Sequence, residues 1–166
     1  MKRKFLKRVP DCSSDTLMKI VADVENYGEF VPLCKEVRLV DNLTNDGLRQ
    51  KFKASICIEY KFFKEAFISE VSVDKENKKI IIQSTENPFK DLYSEWKFEQ
   101  LESDCEVTFF VNASFNSFMV EKIISLSFDR IAKRIISAFE ERVIKEKLIW
   151  LILHNANKVR KLHGLF

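Results

Sequence analysis

Two periodicities divide the chain, and the order in which they occur leaves few folds open. From Lys51 to Tyr60, the side chains of Phe52, Ala54, Ile56, Ile58 and Tyr60 alternate with Lys51, Lys53, Ser55, Cys57 and Glu59, the period-two pattern of a strand with one buried and one wet face. Ala66 to Val73, Lys79 to Thr85, Ser94 to Leu101 and Cys105 to Phe115 continue the series, separated by polar turns at 74–78 and Ser103-Asp104. From about Ser117 to Lys147 the period becomes helical, with Ile124, Phe128, Ile131, Ile135 and Phe139 spaced by three and four. Such a stripe predicts one long helix, about 45 Å at 1.5 Å per residue.

Upstream, Lys4 to Val9 reads as a strand ended by Pro10-Asp11, and Ser13 or Ser14 is placed to cap a helix carrying Leu17, Ile20, Val21 and Val24,. Tyr27 to Pro32 breaks that helix and begins an aromatic turn or a second small helix. Glu36 to Asp41 reads as a strand, and Asn45-Asp46-Gly47 as a hairpin turn,. The expected fold is α+β: a strand, short helices, about six further strands in an antiparallel meander, and a C-terminal helix around which the curved sheet wraps.

At 166 residues with 46% hydrophobic and 32% charged side chains, the chain suits one folded domain with a real core. Three Gly and three Pro argue against internal linkers. Fifteen Phe is a high count, which either a codon bias or an aromatic interior would explain. Cys12, Cys34, Cys57 and Cys105 lack CxxC or Cys/His spacing, so no metal site is expected and the thiols read as reduced and mostly buried. The basic start is followed by no apolar stretch of signal-peptide length. The expectation is a cytoplasmic protein, at most peripheral at the inner membrane.

The net charge of +3 is unevenly spread. Residues 1–8 hold five basic side chains and residues 147–166 hold four, with no acid in either segment, while the remaining 19 basic and 25 acidic residues leave the middle at −6. The two ends could face an anionic membrane surface or RNA phosphates, or they are simply solvated termini.

Catalytic patterns are scarce. His154 and His163 both lie in the tail, and no GxSxG, GxGxxG, P-loop or HExxH pattern occurs,. Glu25, Glu29, Glu95 and Glu99 read as solvated. The expectation is a protein that is not an enzyme. Ala54, Ser69 and Ala113 are small residues at inward positions, whereas Phe52, Phe67, Phe109 and Phe115 could close the same space, so alternation leaves a ligand cavity and a packed interior both open. If there is a cavity, Tyr27, Tyr60, Tyr93 and Trp96 are the candidate donors to a polar head group.

Three separated segments carry a family likeness. Asp23-Val24-Glu25-Asn26-Tyr27-Gly28-Glu29-Phe30-Val31-Pro32-Leu33-Cys34, then Asn87-Pro88-Phe89-Lys90-Asp91-Leu92 leading to Trp96-Lys97-Phe98, then Phe128-Asp129-Arg130-Ile131 together resemble the START-like family that joins the mitochondrial coenzyme Q binding proteins to the bacterial ribosome-association toxins. The resemblance covers about residues 5–146. It implies a helix-grip fold with an apolar tunnel, ubiquinone as bound ligand rather than catalytic cofactor, and a role in respiration or quinone handling. It also implies a second possible role, binding the large ribosomal subunit, and, further off, polyketide cyclase chemistry on the same scaffold. The ligand contacts it suggests are Tyr27, Phe30, Pro32, Phe52, Ala54, Ile56, Pro88, Phe89, Trp96, Phe98, Phe109, Ala113, Phe128 and Ile131. Gly28 stands where the family's turn usually has Pro, which is expected to loosen the entrance formed by Tyr27, Phe30 and Pro32.

Residues 1–146 thus read as the domain and 147–166 as a basic, apolar helical extension. Leu148 to Leu153 supplies only six apolar residues, far below the roughly 20 that span a bilayer. If the helix continues, Leu148, Ile152, Val159, Leu162 and Phe166 fall near one face beside Lys158, Arg160 and Lys161, a pattern that suits either a membrane surface or packing against protein.

Overall fold

In a computed structural model, which describes residues 1–60 and 63–163 and the side chains up to Leu153, seven antiparallel strands form one sheet. The strands are β1 (Lys2–Val9), β2 (Cys34–Asn45), β3 (Arg49–Tyr60), β4 (Phe63–Asp74), β5 (Lys79–Ser84), β6 (Phe89–Leu101) and β7 (Asp104–Phe115). Their order across the sheet is β1-β7-β6-β5-β4-β3-β2. Consecutive hairpins build β2 to β7 as the expected meander, and β1 closes it by pairing with β7, Phe5 opposite Phe109. The helices are α1 (Ser14–Ala22), a 3-10 turn (Val24–Asn26), α2 (Tyr27–Phe30) and α3 (Phe118–His163).

Local chemistry sets the boundaries. Ser13 is the cap of α1, its hydroxyl accepting from the Thr16 N–H at 3.1 Å,. The β2–β3 turn is Asn45-Asp46-Gly47: Gly47 sits at φ +89, where a Cβ would be strained, and the Asp46 carboxylate accepts from the Leu48 and Arg49 N–H groups. At Gly28 the expected loosening is not what forms. A Cβ there would lie 2.8 Å from the Lys35 carbonyl oxygen, so the missing side chain lets the aromatic turn press directly against β2.

Several elements extend past their sequence signals. β2 runs on to Asn45 although most of it is exposed, because β3 supplies its ladder partners from Ile58 to Gln50. β6 begins at Phe89 rather than Ser94, since β7 reaches that far in register. Helix α3 continues without a break for 46 residues, to His163. In β3 the clean alternation covers only its first half: Phe52 and Ala54 are buried, but from Ser55 to Tyr60 both faces are half-buried.

Helix α3 lies across the concave face, with Phe128, Ile131, Ala132, Ile135, Phe139 and Val143 turned toward the sheet. Ion pairs fix its flanks: Arg3 to Asp129 at 3.0 Å and Lys7 to Glu140 at 3.2 Å from β1, and Arg142 to Glu29 at 3.2 Å from α2. Toward the C-terminal end of α3, Leu148 to Leu153 are all exposed. Val159, Leu162, Phe166, Lys158, Arg160, Lys161, His154 and His163 have side chains outside the described residues. Among the described residues no helix is long and apolar enough to cross a membrane.

Candidate functional site: an apolar cavity under the long helix

The interior has two unlike halves. In the first, aromatic rings interlock. Trp96 lies 4.3 Å from Phe109 and 5.3 Å from Phe139 between centroids, Phe139 meets Tyr27 edge-on at 5.3 Å, and Phe30 meets Phe139 at 5.2 Å. The Tyr27 hydroxyl donates to the Val21 carbonyl, and burial pushes its pKa well up, with the neighbouring Cys34 and Asp23 adding to the shift. Tyr27 is therefore a satisfied core residue in this structure.

In the second half the packing opens into a cavity of about 190 Å³. Its walls come from Ile58 and Tyr60 of β3, Phe63 and Phe67 of β4, Phe89 and Leu92 of β6, and Val111, Ala113 and Phe115 of β7; Ile124, Phe128, Ile131 and Ile135 of α3 form the roof, and Met1 and Leu33 complete the rim. Phe67, Phe89 and Phe115 form one aromatic wall, Phe89 lying 4.9 Å from Phe67 and 5.0 Å from Phe115. The space exists because Ala113 presents a methyl group where its neighbours on β7 present larger side chains. Met1 holds the position from the other side: the terminal ammonium donates to the Ala113 carbonyl at 2.5 Å, and the Ala113 N–H donates back to Met1 at 2.8 Å.

Of the fourteen candidate contacts, Phe89, Ala113, Phe128 and Ile131 come together around this cavity. Tyr27, Phe52, Ala54, Trp96, Phe98 and Phe109 belong to the filled half, and Ile56 packs against both. Pro88 is buried at the start of β6, where its carbonyl accepts from Asn116. Phe30 and Pro32 line a different groove on the surface, with Arg130, Lys133 and Arg134. Phe63, Leu33 and Met1 escaped sequence reasoning. Leu33 and Met1 lie in no periodic run, and Met1 reaches the cavity only through a pairing 112 residues away.

The lining is a hydrocarbon surface. Among the described residues its only hydroxyl belongs to Tyr60, and no carboxylate, imidazole or thiol reaches it. Tyr93, the other candidate donor, turns to the convex side and donates to Glu95 at 2.8 Å; desolvation, with that hydrogen bond and the Glu95 charge, raises its pKa to about 12. Glu95 itself is no free carboxylate, since Lys97 at 2.9 Å and Lys79 at 3.3 Å hold it. No group of three potential metal ligands occurs among the described residues.

A sheet gripping a long helix over such a cavity matches a known family model across residues 11–140, described as polyketide cyclase / dehydrase and lipid transport. The chain belongs to that family. Among its relatives, the ribosome association toxin RatA of Rickettsia prowazekii is 27% identical over 129 residues, 76% of this chain and 85% of that one. The coenzyme Q-binding protein COQ10 homolog B, mitochondrial, of Xenopus laevis is 27% identical over 134 residues, 78% of this chain but 53% of that one. The solution structure of an 18 kDa protein from Caulobacter crescentus superposes with a TM-score of 0.75 at 26% identity, covering 89% of this chain and 98% of that one. The family thus includes both binding proteins and, in its description, cyclases.

Proposed function

We propose that the protein binds an apolar isoprenoid ligand of the ubiquinone type in this cavity and performs no chemistry on it. The observation that carries the reading is the lining: its fifteen described residues are apolar apart from one phenol. Burying about 200 Å² of ligand hydrocarbon against it is worth about 5 kcal/mol gross at 25 cal/mol per Å². A volume of about 190 Å³ accommodates one substituted ring, so a long prenyl tail has to continue outside it. Phe89, Ala113, Phe128 and Ile131 are then contacts to the ring. General acid–base catalysis needs a titratable group within hydrogen-bond reach of the substrate, and among the described residues no carboxylate, imidazole or thiol lines the cavity. The likeness to the coenzyme Q-binding relative supports a quinone over other lipids, and a place in respiration or quinone supply goes with that ligand.

Mass spectrometry of organic extracts of protein purified without added lipid tests this. Wild type is expected to carry a prenylated quinone and Ala113→Phe to carry none. Quinone at the same level in a folded Ala113→Phe protein would contradict the assignment.

A second reading, attachment to the large ribosomal subunit, is favoured by a different observation. Lys122, Arg130, Lys133 and Arg134 stand exposed on α3 with no ion-pair partner among the described residues. The ribosome-association relative supports it. It predicts co-sedimentation with large subunits that weakens steeply as salt rises.

A further inference from the structure

The outward face of α3 carries large apolar side chains that nothing in the domain covers. Phe118 is 82% exposed, Met119 71% and Leu126 81%, with Ile123 at 43%. Met119, Ile123 and Leu126 recur at spacings of four and three, and Arg130, then Lys133 and Arg134, continue the same line. This face is opposite the one that Phe128, Ala132, Ile135 and Phe139 bury, so it plays no part in holding the helix to the sheet. Its apolar first turns therefore pass directly into a cluster of cations, with Lys122 beside them.

The cations of this face form no ion pair among the described residues. Glu121 lies 3.9 Å from the terminal ammonium, and Asp129 is bonded to Arg3 at 3.0 Å. In the groove where Arg130, Lys133 and Arg134 meet Phe30 and Pro32, the carboxylate present is Glu141. Four cations without ion-pair partners beside four exposed apolar side chains make the combination that an interfacial helix presents to lipid, with the apolar residues reaching the acyl boundary and the cations at headgroup phosphates. RNA would satisfy the cations but leave Phe118, Met119 and Leu126 in water.

We infer that the outward face of α3, from Phe118 to Arg134, docks the protein on an anionic lipid bilayer. The inference rests on the apolar-ligand reading in one respect: the same turns that show Ile123 and Leu126 to solvent line the cavity with Ile124 and Phe128. Docking would therefore place the cavity roof one helix diameter from the phase in which a prenylated quinone dissolves. The docking face is thus within the domain, apart from the basic tail.

The test is vesicle sedimentation of the full chain, comparing phosphatidylcholine mixed with phosphatidylglycerol against phosphatidylcholine alone. Wild type should sediment with the anionic vesicles and release with salt. Lys133→Ala/Arg134→Ala should weaken partitioning roughly fivefold per charge removed, about 25-fold in all. Leu126→Gln should weaken it further while the organic extract of each variant keeps its ligand. Ala113→Phe should bind vesicles as wild type does, which separates this inference from the cavity assignment. Undiminished vesicle binding by Lys133→Ala/Arg134→Ala would overturn the inference. So would wild type that ignores vesicles but binds large ribosomal subunits through Lys133 and Arg134, which would assign the face to RNA.

Discussion

The two halves of the interior are built from the same sheet and the same helix, yet one is filled and the other hollow. At Trp96, five aromatic residues from β6, β7, α2 and α3 form one connected cluster, and Val21, Val71, Val143 and Ile80 behind them have no accessible surface to speak of. Around Ala113, the aromatic residues Phe67, Phe89 and Phe115 stand as a wall against which Val120 and Ile124 of α3 pack, with the cavity beside them. The difference is one of partners. Phe139 descends from α3 between Trp96 and Tyr27, whereas Ile124, Ile131 and Ile135 present shorter side chains to the wall opposite. A fold of this kind can assign stability to one end and leave the other end free to hold a ligand.

The strongest way to break that comparison is at Trp96. Trp96→Ala should destabilise the protein by about 3 to 5 kcal/mol, measured by denaturant unfolding, because the neighbouring rings cannot collapse into the space. A loss below about 1 kcal/mol would mean the filled half does not carry the fold.

How much of this was legible beforehand follows from which signals are local. Alternation and the α3 stripe are properties of neighbouring residues, so the meander, the long helix and the inward side of Ala54, Ser69 and Ala113 could be read directly. Inwardness says nothing about what lies across the gap. Ala54 and Ala113 look alike in sequence, but Ala54 is fully buried within the filled cluster while Ala113 faces open space. That distinction depends on where α3 crosses the sheet, which is set by the packing of Phe128, Ile135 and Phe139 against the core and by the β1–β7 register. The aromatic turn is equally local as a motif, and its ring Tyr27 packs on Phe139.

The pH dependence of stability separates the halves in a smaller way. Burial raises the Cys105 thiol from 9.0 to about 11, with Cys12 adding to the shift, and raises Cys34 similarly, with Cys57 adding. The folded form therefore holds these protons where the unfolded chain loses them. That contribution is complete below about pH 9 and lost as pH rises toward 11. Cys105→Ala should have a shallower decline over this window than wild type in urea melts at stepped pH; parallel slopes would refute the shift.

The smallest expected effect is at Ser69, whose buried hydroxyl has no partner among the described residues. It shares a sheet row with Ala54, Ser84, Leu92 and Ala113. Ser69→Ala should leave stability unchanged or raise it by up to about 1 kcal/mol, since an unsatisfied polar group is removed. A clear loss would reveal a hydrogen bond there.

The central claim is that the hollow half is a binding site, and calorimetric titration with a short-tailed ubiquinone tests it most directly. Wild type should bind one equivalent with a negative heat-capacity change, as apolar burial requires, and Ala113→Phe, folded and within about 2 kcal/mol of wild type in stability, should not bind measurably. Equal binding by the two proteins would contradict the account.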